Sequence, residues 1–311
     1  MSRPVLFDTD PGCDDAVAIT LALASDDLEV VGLSTAHGNT TVENTTANAR
    51  SILELVDRTD VPVARGADCP LTVDLETAEH IHGPDGILGD LPEPTAATEP
   101  VDAPGAQFIV EQAREHAGDL TLVAIAPLTN VALALALEPD LPELLDELVV
   151  MGGAAFGQGN VTPLAEANFH SDPHAAHRVV RDLSPTIVGL DVTRGATFPP
   201  DRLPALSRDG QLEWTIRQWL TYYDEEQLAR YDIESAAIHD ALVVAWLLDD
   251  GILEIEPCAM RVGTDNDLAR GALVCDARGV TERPPNGYVA TAVDTARFRS
   301  VLGEGLEFLL Q

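Results

Sequence analysis

The sequence predicts an α/β protein with a mostly parallel central sheet and helices on both faces of that sheet. Three observations support this fold class: short apolar runs recur along the 311-residue chain, helical patterns separate them, and polar loops with glycine follow them. Strands of a parallel sheet are buried on both faces and are therefore apolar throughout. Regular alternation of such strands with helices is typical of α/β folds.

The predicted strands are the most apolar short runs of the chain. They are Val5–Phe7, Val30–Ser34, Leu120–Ala124, Glu147–Met151 and Thr186–Leu190. The predicted helices between them are Ala16–Ala24, Val42–Val56, Gly105–His116 and Pro173–Arg181. Two later runs, Glu256–Val262 and Gly271–Cys275, are expected to form a strand pair near the C-terminus.

Nothing in the sequence marks a domain boundary. The segment Pro92–Pro104 is rich in Pro, Thr and Ala, but strands of the same character resume after it, so it is predicted to be a surface loop. We find no internal repeat and no linker, and we expect residues 1–311 to form a single domain. The apolar stretch 121–137 contains Pro127, Thr129 and Asn130, so it is too short and too interrupted to span a membrane.

Charge is the unusual feature of the composition. The chain has 18 Lys and Arg residues against 52 Asp and Glu residues, and all 18 are arginine. A net charge of −34 makes nucleic acid and anionic membranes poor partners. The absence of lysine favours a protein adapted to very high salt over an ordinary acidic cytosolic protein.

The cysteines and the N-terminus indicate an intracellular protein. Cys13, Cys69, Cys258 and Cys275 form no C-x-x-C pair, so a zinc or redox site is not expected. Free thiols in a reducing cytosol explain them most simply, although a disulfide is possible. Because "MSRPVLFDTD" leads directly into the first strand with no signal peptide, we expect a cytoplasmic location.

Four aspartates lie within eight residues in "DTDPGCDDAVAI", directly after the first predicted strand. The carboxylates of Asp10, Asp14 and Asp15 repel one another, so they are expected to lie side by side only when a cation binds between them. Because the donors are carboxylate oxygens with no His or Cys beside them, Ca²⁺ or Mg²⁺ is expected rather than zinc. The alternative is a helix N-cap formed by Asp14 or Asp15, for which a single aspartate suffices.

Polar loops follow four other predicted strands as well. They read "HGN", "APLTN", "GGAAFGQGN" and "DVT". The carboxyl ends of parallel strands lie along one edge of the sheet, where open α/β folds bind their ligands. The sequence therefore predicts an active site at this edge, containing the aspartate cluster.

The same motifs carry a resemblance to a known family. "DTDPGCDDA" (8–16), "HGN" (37–39), "HGPDG" (82–86), "APLTN" (126–130), "GNVTPLAEANFHSDPHAA" (159–176) and "HDALVVA" (239–245) resemble the inosine-uridine-preferring nucleoside hydrolases, in family order. The resemblance implies a Rossmann-like nucleoside hydrolase fold and hydrolysis of the N-glycosidic bond of ribonucleosides, which releases ribose and a free base. It further implies a role in nucleoside salvage and a homodimer or homotetramer.

The resemblance also implies a calcium site and a general base. Its Ca²⁺ ligands would be one oxygen of Asp10, two of Asp15, one of Asp240 and the main-chain carbonyl of Ile125. A water and the ribose 2′- and 3′-hydroxyls would complete a coordination number that calcium accepts and magnesium does not. Asp10 would be the general base that activates the attacking water.

Contacts to the sugar are implied for five further side chains. Asn160 and Glu166 would hold the 5′-hydroxyl, whereas Asp14, Asn168 and Asp240 would hold the 2′- and 3′-hydroxyls. Asn160 is also a good turn residue in a glycine-rich loop, which is the alternative reading of this position.

Two further positions, Asn39 and Ala167, bear on the surroundings of these sugar contacts. Asn39 would support Asp10, but asparagine is common in turns without any such role. Family members often carry an aromatic residue at the position of Ala167, so the packing around the 5′-hydroxyl or the base differs here.

Histidines are the candidates for a titratable side chain near the nucleobase of the substrate. His239 adjoins the predicted ligand Asp240 and would donate a proton to the departing base. His82 is predicted to contact the base or a loop. A lone histidine is more often structural, and the sequence assigns no role to His37, His80 or His170.

Base preference is predicted from one helical segment. Tyr223, Gln227 and Tyr231 are four residues apart, so a helix places them on one face, which leads to His239 and would wall the base pocket. An amphipathic helix with two buried aromatics is the alternative. In the resembling family, pyrimidine-preferring members tend to carry Gln at position 227, whereas Tyr223 is of the broad-specificity type. We therefore expect a pyrimidine preference with some activity on inosine.

Two other functions remain open from the sequence. A haloacid dehalogenase-type phosphohydrolase would explain the D-x-D of "DTD", although Gly12 stands where that class has Thr or Val. A calcium-dependent nucleoside- or ribose-binding protein without catalysis would use the same ligands, but it would have no need of Asp10 as a base.

The charge leads to a first prediction, that the fold requires high salt. In dilute buffer the uncompensated carboxylates repel one another, whereas at molar salt the screening length falls to about 3 Å. Far-ultraviolet circular dichroism should show lost structure in dilute buffer and native structure in molar KCl. Sucrose, which stabilises without screening charge, should not replace the salt. A cooperative, active fold in dilute buffer would contradict the prediction.

Overall fold

The computed structural model describes residues 2–88, 91–202, 210–230, 236–264 and 268–309. Within these ranges, the side chains of residues 200, 222–224 and 226–230 lie outside the description.

The strands follow the predicted pattern, with additions. In chain order they are Arg3–Thr9 (β1), Leu28–Thr35 (β2), Val63–Arg65 (β3), Leu120–Ala124 (β4), Leu145–Met151 (β5), Thr186–Val188 (β6), Leu253–Pro257 (β7), Ala259–Val262 (β8), Leu273–Asp276 (β9) and Tyr288–Val293 (β10). The main sheet has the order β3-β2-β1-β4-β5-β6-β10-β7, and β8 pairs with β9 separately. Every neighbouring pair in the main sheet is parallel except β10 and β7.

Helices cover both faces of this sheet. They are Cys13–Ala24 (α1), Val42–Leu55 (α2), Glu79–His82 (α3), Gly105–Glu115 (α4), Thr129–Leu137 (α5), Leu141–Leu144 (α6), Ala167–Ser171 (α7), Pro173–Asp182 (α8), Leu190–Thr193 (α9), Gln211–Arg230 (α10), His239–Leu248 (α11) and Thr295–Leu309 (α12). The predicted fold class is confirmed. Among the described residues, no helix is long and apolar enough to cross a membrane.

Two hydrophobic cores lie on opposite faces of the sheet, as strand alternation requires. Val5 and Phe7 of β1 belong to one core, with α1, α11 and α12, whereas Leu6 belongs to the other, with α4, α5 and α8. Side chains in a strand alternate between faces, so one central strand supplies both cores. β1 is buried from Val5 onward, and its C-terminal end is therefore fixed from both sides.

Two predicted boundaries near the site are wrong. Helix α1 begins at Cys13 rather than Ala16, because Gly12 is its N-cap and accepts the first helical hydrogen bond, from Ala16 N–H. This places Asp14 and Asp15 in the first turn, where the helix dipole favours negative charge. Strand β6 ends at Val188, and Leu190 begins α9.

The predicted strand Glu256–Val262 is two strands. β7 ends at Pro257 and lies antiparallel to β10, whereas β8 begins at Ala259 and pairs with β9. Between them, Cys258 bonds through its N–H to Gly287 O and through its carbonyl to Asn286 N–H. The expected pairing near the C-terminus is confirmed for β8 and β9 only.

The sheet order creates a switch point between β1 and β4. The chain adds β2 and β3 on one side of β1 and then returns to add β4 on the other side. The loops that follow β1 and β4 therefore diverge and leave a crevice at the carboxyl edge, which is where open α/β sheets bind ligands. The aspartate cluster and the "APLTN" loop lie at this crevice.

Candidate active site

The carboxylates of Asp14, Asp15 and Asp240 form one buried cluster. Asp14 and Asp15 belong to the first turn of α1, Asp240 belongs to the first turn of α11, and one oxygen of each lies within 4.8 Å of the others. The two helix N-termini thus converge on one point. The site predicted from the sequence is assembled from residues 225 positions apart in the chain, as measured from Asp15 to Asp240.

Asp15 is held by four donors. Its Oδ1 accepts from Thr9 Oγ1 at 2.6 Å and from Asp10 N at 3.3 Å, and its Oδ2 accepts from Gly12 N at 3.0 Å and from Asn39 Nδ2 at 3.2 Å. In the bond from Gly12, Asp15 at the third position of α1 accepts the N–H of the N-cap residue, which is one half of a capping box. The N-cap alternative therefore describes one role of Asp15, but it leaves the neighbouring buried carboxylates unexplained.

Asp10 lies directly after β1, and 2% of its surface is exposed. Its Oδ2 accepts from the backbone N–H of Asn39 at 2.7 Å, while Asn39 Nδ2 donates to the Asp10 carbonyl at 2.9 Å. Asn39 therefore binds the side chain and the main chain of Asp10 as well as the Asp15 carboxylate. The predicted support of Asp10 by Asn39 is present in the structure.

Burial and mutual repulsion raise the pKa values of this group. Burial first, and then the Asp15 carboxylate, raise the pKa of Asp10 well above its usual value. Burial first, and then Asp14, raise the pKa of Asp240 in the same way, and Asp240 shares a hydrogen bond with Asp15. The charged groups with the largest effect on Asp10 and Asp240 are all carboxylates.

These residues fit a metal ion. Buried carboxylates are stable when they are paired with positive charge, and without a cation two of them share a proton instead. The donor set consists of oxygen atoms only, which suits a hard divalent cation. The acidic cluster can therefore hold a metal. The cluster in the structure consists of Asp14, Asp15 and Asp240. The ligands predicted from the sequence are Asp10, Asp15, Asp240 and the Ile125 carbonyl.

The Ile125 carbonyl lies at the same crevice, directly after β4. It accepts from Asn168 Nδ2 at 3.1 Å, and the same amide donates to Met151 O at 3.2 Å. Asn168 thus ties the ends of β4 and β5 together. A carbonyl oxygen has two lone pairs, so this bond leaves one for a cation.

Glu166 and Asn160 differ sharply in their surroundings. Glu166 is 2% exposed and caps α7, where its carboxylate accepts from the N–H groups of Asn168, Phe169 and Gly153. Burial raises the pKa of Glu166, and these hydrogen bonds oppose the rise. Asn160 is exposed, and its N–H bonds to Ala165 O, as a turn residue does.

Both predicted histidines lie near the cluster. A Cβ atom on Gly12 would lie 2.7 Å from Asn39 Nδ2 and 2.8 Å from His82 Nδ1, which places the imidazole of His82 beside the α1 N-terminus. His239 is half-buried, and its Nδ1 lies 2.8 Å from Thr193 Oγ1. Burial, and secondarily Arg194, lower the pKa of His239 to about 4, so this histidine is neutral at neutral pH.

The predicted base-pocket residues lie largely outside the described side chains. Tyr223 and Gln227 both belong to α10, so the helix prediction is confirmed for them, but their side chains are not among those described. Tyr231 lies outside the described residues.

Comparison with known proteins identifies the family. A family model described as inosine-uridine preferring nucleoside hydrolase matches residues 5–300. The chain belongs to this family. It is 38% identical over 315 residues to the pyrimidine-specific ribonucleoside hydrolase RihA of Escherichia coli O7:K1 (strain IAI39), with 99% of each chain covered. This protein is therefore a ribonucleoside hydrolase, an N-glycosidase.

Solved structures of nucleoside hydrolases share its fold over almost the whole chain. The plant nucleoside hydrolase PpNRh1 matches with a TM-score of 0.91 at 30% identity, covering 98% of this chain and 99% of its own. The purine-preferring ribonucleoside hydrolase from Gardnerella vaginalis matches with a TM-score of 0.91 at 28% identity, covering 99% of both chains. Because this fold occurs in enzymes that are named for different base preferences, the fold alone does not determine base preference.

The comparisons set aside the two other functions considered above. The match extends over the whole chain to enzymes that hydrolyse nucleosides, so the D-x-D of "DTD" belongs to the nucleoside hydrolase motif rather than to a phosphohydrolase. These matches to hydrolases likewise do not support a noncatalytic nucleoside- or ribose-binding protein.

Sequence reasoning missed the buried polar residues behind the hydrolase site. Asp8 is fully buried, and burial raises its pKa to about 7. Its Oδ1 accepts from Asn130 Nδ2 at 2.8 Å, and the same amide donates to Thr35 O at 2.9 Å. The "APLTN" motif was the available signal, since it contains Asn130 and its neighbour Thr129, but local sequence does not show what a loop residue contacts.

Gly38 provides a test of the geometry around Asp10. A Cβ atom there would lie 1.9 Å from Asp10 Oδ2, and φ is +155°. Gly38→Ala should displace the Asp10 carboxylate and lower kcat by about 10²-fold, the effect of roughly a 1 Å misplacement.

Gly118→Ala is the matched control for this substitution. Gly118 has φ +83°, and a Cβ atom there meets nothing within 4 Å, so the variant carries backbone strain without touching the site. Steady-state hydrolysis of uridine by both variants measures the difference. Equal activity in the two variants would show that Gly38 does not position Asp10.

Proposed function

We propose that this enzyme is a calcium-dependent ribonucleoside hydrolase in which Asp10 is the general base and pyrimidine ribonucleosides are preferred over inosine. The observation that carries the proposal is the position of Asp10 beside the acidic cluster at the switch point of the sheet. Its buried carboxylate accepts from the Asn39 backbone N–H, and its main-chain carbonyl accepts from the Asn39 side chain.

The residues proposed to hold Ca²⁺ are Asp10, Asp15, Asp240 and the carbonyl of Ile125. Asp14, which the structure places within the cluster, would orient the ribose hydroxyls beside them. When bound, a calcium ion supplies positive charge that offsets these carboxylates and acidifies a coordinated water. Calcium is favoured over magnesium because carbonyl and carboxylate ligands from three separate loops suit its larger and more variable coordination shell.

Asp10 takes the proton from the attacking water in this mechanism. Because Oδ2 accepts the Asn39 N–H at 2.7 Å, we assign the proton transfer to Oδ1. The bond to a backbone N–H limits rotation of the carboxylate and holds it in one orientation, as a positioned base requires. The water adds to C1′ of the ribose as the bond to the base breaks.

The site also stabilises the charge that develops on the ribose. Hydrolysis of a glycosidic bond passes through an oxocarbenium-like transition state, in which the sugar ring becomes positive. Three carboxylate ligands around one dication leave a net negative charge beside the ring. Asn168 and Glu166, on the short helix α7, would fix the sugar from the other side.

His239 is proposed to face the departing base. With a pKa near 4 it is a neutral imidazole, so it acts as a hydrogen-bond donor through its ring N–H rather than as an imidazolium. When the Thr193 hydroxyl donates to Nδ1, the ring proton resides on Nε2. The predicted homodimer or homotetramer and the cytoplasmic location stay predictions.

Replacing the proposed base should abolish most of the activity. Asp10→Ala should lower kcat on uridine by at least ~10²-fold, with a smaller change in KM, because a positioned base contributes that much to the rate. The measurement is release of reducing sugar at saturating calcium in molar KCl. Asp26→Ala, at an exposed position before β2, is the control. Near-normal turnover by Asp10→Ala would exclude Asp10 as the base.

Base preference is tested by comparing kcat/KM for uridine, cytidine and inosine, with and without a calcium chelator. The pyrimidine-specific name of the relative from Escherichia coli supports the preference, as does Gln227, whose amide can both donate to and accept from a pyrimidine edge. We expect uridine to exceed inosine by about 10–200-fold, or 1–3 kcal/mol, as one pocket contact provides. The chelator should abolish all hydrolysis.

Gln227→Tyr should raise turnover of inosine, because a tyrosine stacks on the larger purine. Glu225→Tyr, at an exposed position of the same helix, is the matched control. Equal or better kcat/KM for inosine in the unmodified enzyme would overturn the role given to Gln227.

A further inference from the structure

Three buried side chains form a hydrogen-bonded chain behind the site. His37 Nε2 lies 3.1 Å from Thr129 Oγ1, and Thr129 Oγ1 lies 2.8 Å from Asp172 Oδ2. His37 and Asp172 are fully buried, and Thr129 is 1% exposed. None of the three has a part in the reaction proposed above. His37 follows β2, Thr129 is the first residue of α5, and Asp172 is the N-cap of α8.

The direction of these bonds follows from the chemistry of the groups. An ionised carboxylate only accepts, so the single hydroxyl proton of Thr129 goes to Asp172. The Thr129 oxygen must then accept from His37, which places the ring proton on Nε2. His37 Nδ1 is left as an acceptor, and it is buried without a partner in the described structure.

Asp172 is a fixed end of this chain. Its Oδ1 accepts from Ala175 N at 3.0 Å as the N-cap of α8, and its Oδ2 also accepts from Leu71 N at 2.8 Å. Because the Asp172 carboxylate is bonded to two backbone segments, it is held in one position. The Thr129 hydroxyl bonds to this carboxylate and, through its oxygen, holds the imidazole of His37.

His37 in turn begins the loop that holds Asp10. The next residue, Gly38, packs against Asp10 Oδ2 so closely that no side chain fits, and the one after it, Asn39, donates its N–H to that same oxygen. The backbone of His37 is also fixed, since its N–H donates to Ala67 O at 3.1 Å. The bond from Thr129 to the imidazole and this backbone bond together fix the start of the 37–39 loop, two residues before the Asn39 N–H.

We propose that Thr129 is a positioning residue for the reaction, which acts through His37 and the 37–39 loop to orient the Asp10 carboxylate. The inference rests on the proposed role of Asp10 as the base. Thr129 is suited to this task because its hydroxyl both accepts and donates, so it connects a neutral imidazole to a carboxylate. Valine has the same shape and can do neither.

Three variants test the proposal. Thr129→Val should lower kcat by about 10–100-fold, the usual effect of losing a partner one shell outside a site, with a smaller change in KM. Thr129→Ser, which retains the hydroxyl, should restore most of the rate. Thr20→Val is the matched control, because Thr20 is fully buried in α1 and, among the described residues, its hydroxyl bonds only to the Ala16 carbonyl of its own helix.

A spectroscopic measurement separates positioning from a loss of stability. Nitrogen-15 NMR of histidine-labelled enzyme, with the His37 signal assigned by its absence in His37→Gln, should show the Nε2–H tautomer in the unmodified protein. Thr129→Val should lose that fixed tautomer while keeping a cooperative melting transition. If Thr129→Val does not fold, the tautomer of the unmodified protein and the kinetics of Thr129→Ser still decide the question.

The possible results distinguish a failure of the positioning role from a failure of the proposed base. An Nδ1–H or charged His37 in the unmodified enzyme, or a normal kcat in folded Thr129→Val, would overturn the positioning role. A Thr129→Ser variant as slow as Thr129→Val would also overturn it, because the hydroxyl would then not be the active group. Normal turnover by Asp10→Ala would instead overturn the proposed base, so the two failures are distinguishable.

Discussion

The structure depends on keeping several carboxylates of like charge buried at the end of one strand. Asp8, Asp10, Asp14, Asp15 and Asp240 are each at most 6% exposed. Burial and mutual repulsion raise the pKa values of Asp10 and Asp240, so the fold alone does not stabilise their charged forms. In the function proposed above, a bound cation would offset this cost. The same carboxylates that repel one another would then bind the metal and act in the reaction.

A frame of neutral hydrogen bonds holds this cluster in place. Asn39 bonds to both Asp10 and Asp15, Asn130 bonds to Asp8, and Asn168 bonds to the carbonyls of Ile125 and Met151. Asparagine suits these positions because its amide donates twice without adding charge. Each of the three follows a different strand, so the frame joins loops that are far apart in sequence. The reactive groups are thus fixed by residues that do not themselves react.

The charge of the surface and the charge of the interior have different origins. The net charge of −34 arises mainly from exposed residues, and salt screens the repulsion between them. The buried aspartates are few, but each interacts strongly because the interior screens charge weakly. The predicted salt adaptation and the proposed catalysis therefore concern separate sets of carboxylates.

The sequence by itself determined the fold class, the first strand and the identity of the carboxylate cluster. Apolar runs alternating with helical patterns reflect burial, which is recorded locally, and "DTDPGCDDA" places like charges so close together that it predicts a cation-binding site. Only the tertiary structure showed that α1 begins at Cys13, that residues 256–262 form two strands, and that Asp14 joins Asp15 and Asp240. Only the structure revealed the chain from Asp172 through Thr129 to His37. These two contacts join residues 92 and 43 positions apart, and nothing in the local pattern of a threonine or a histidine specifies which distant side chain it will meet.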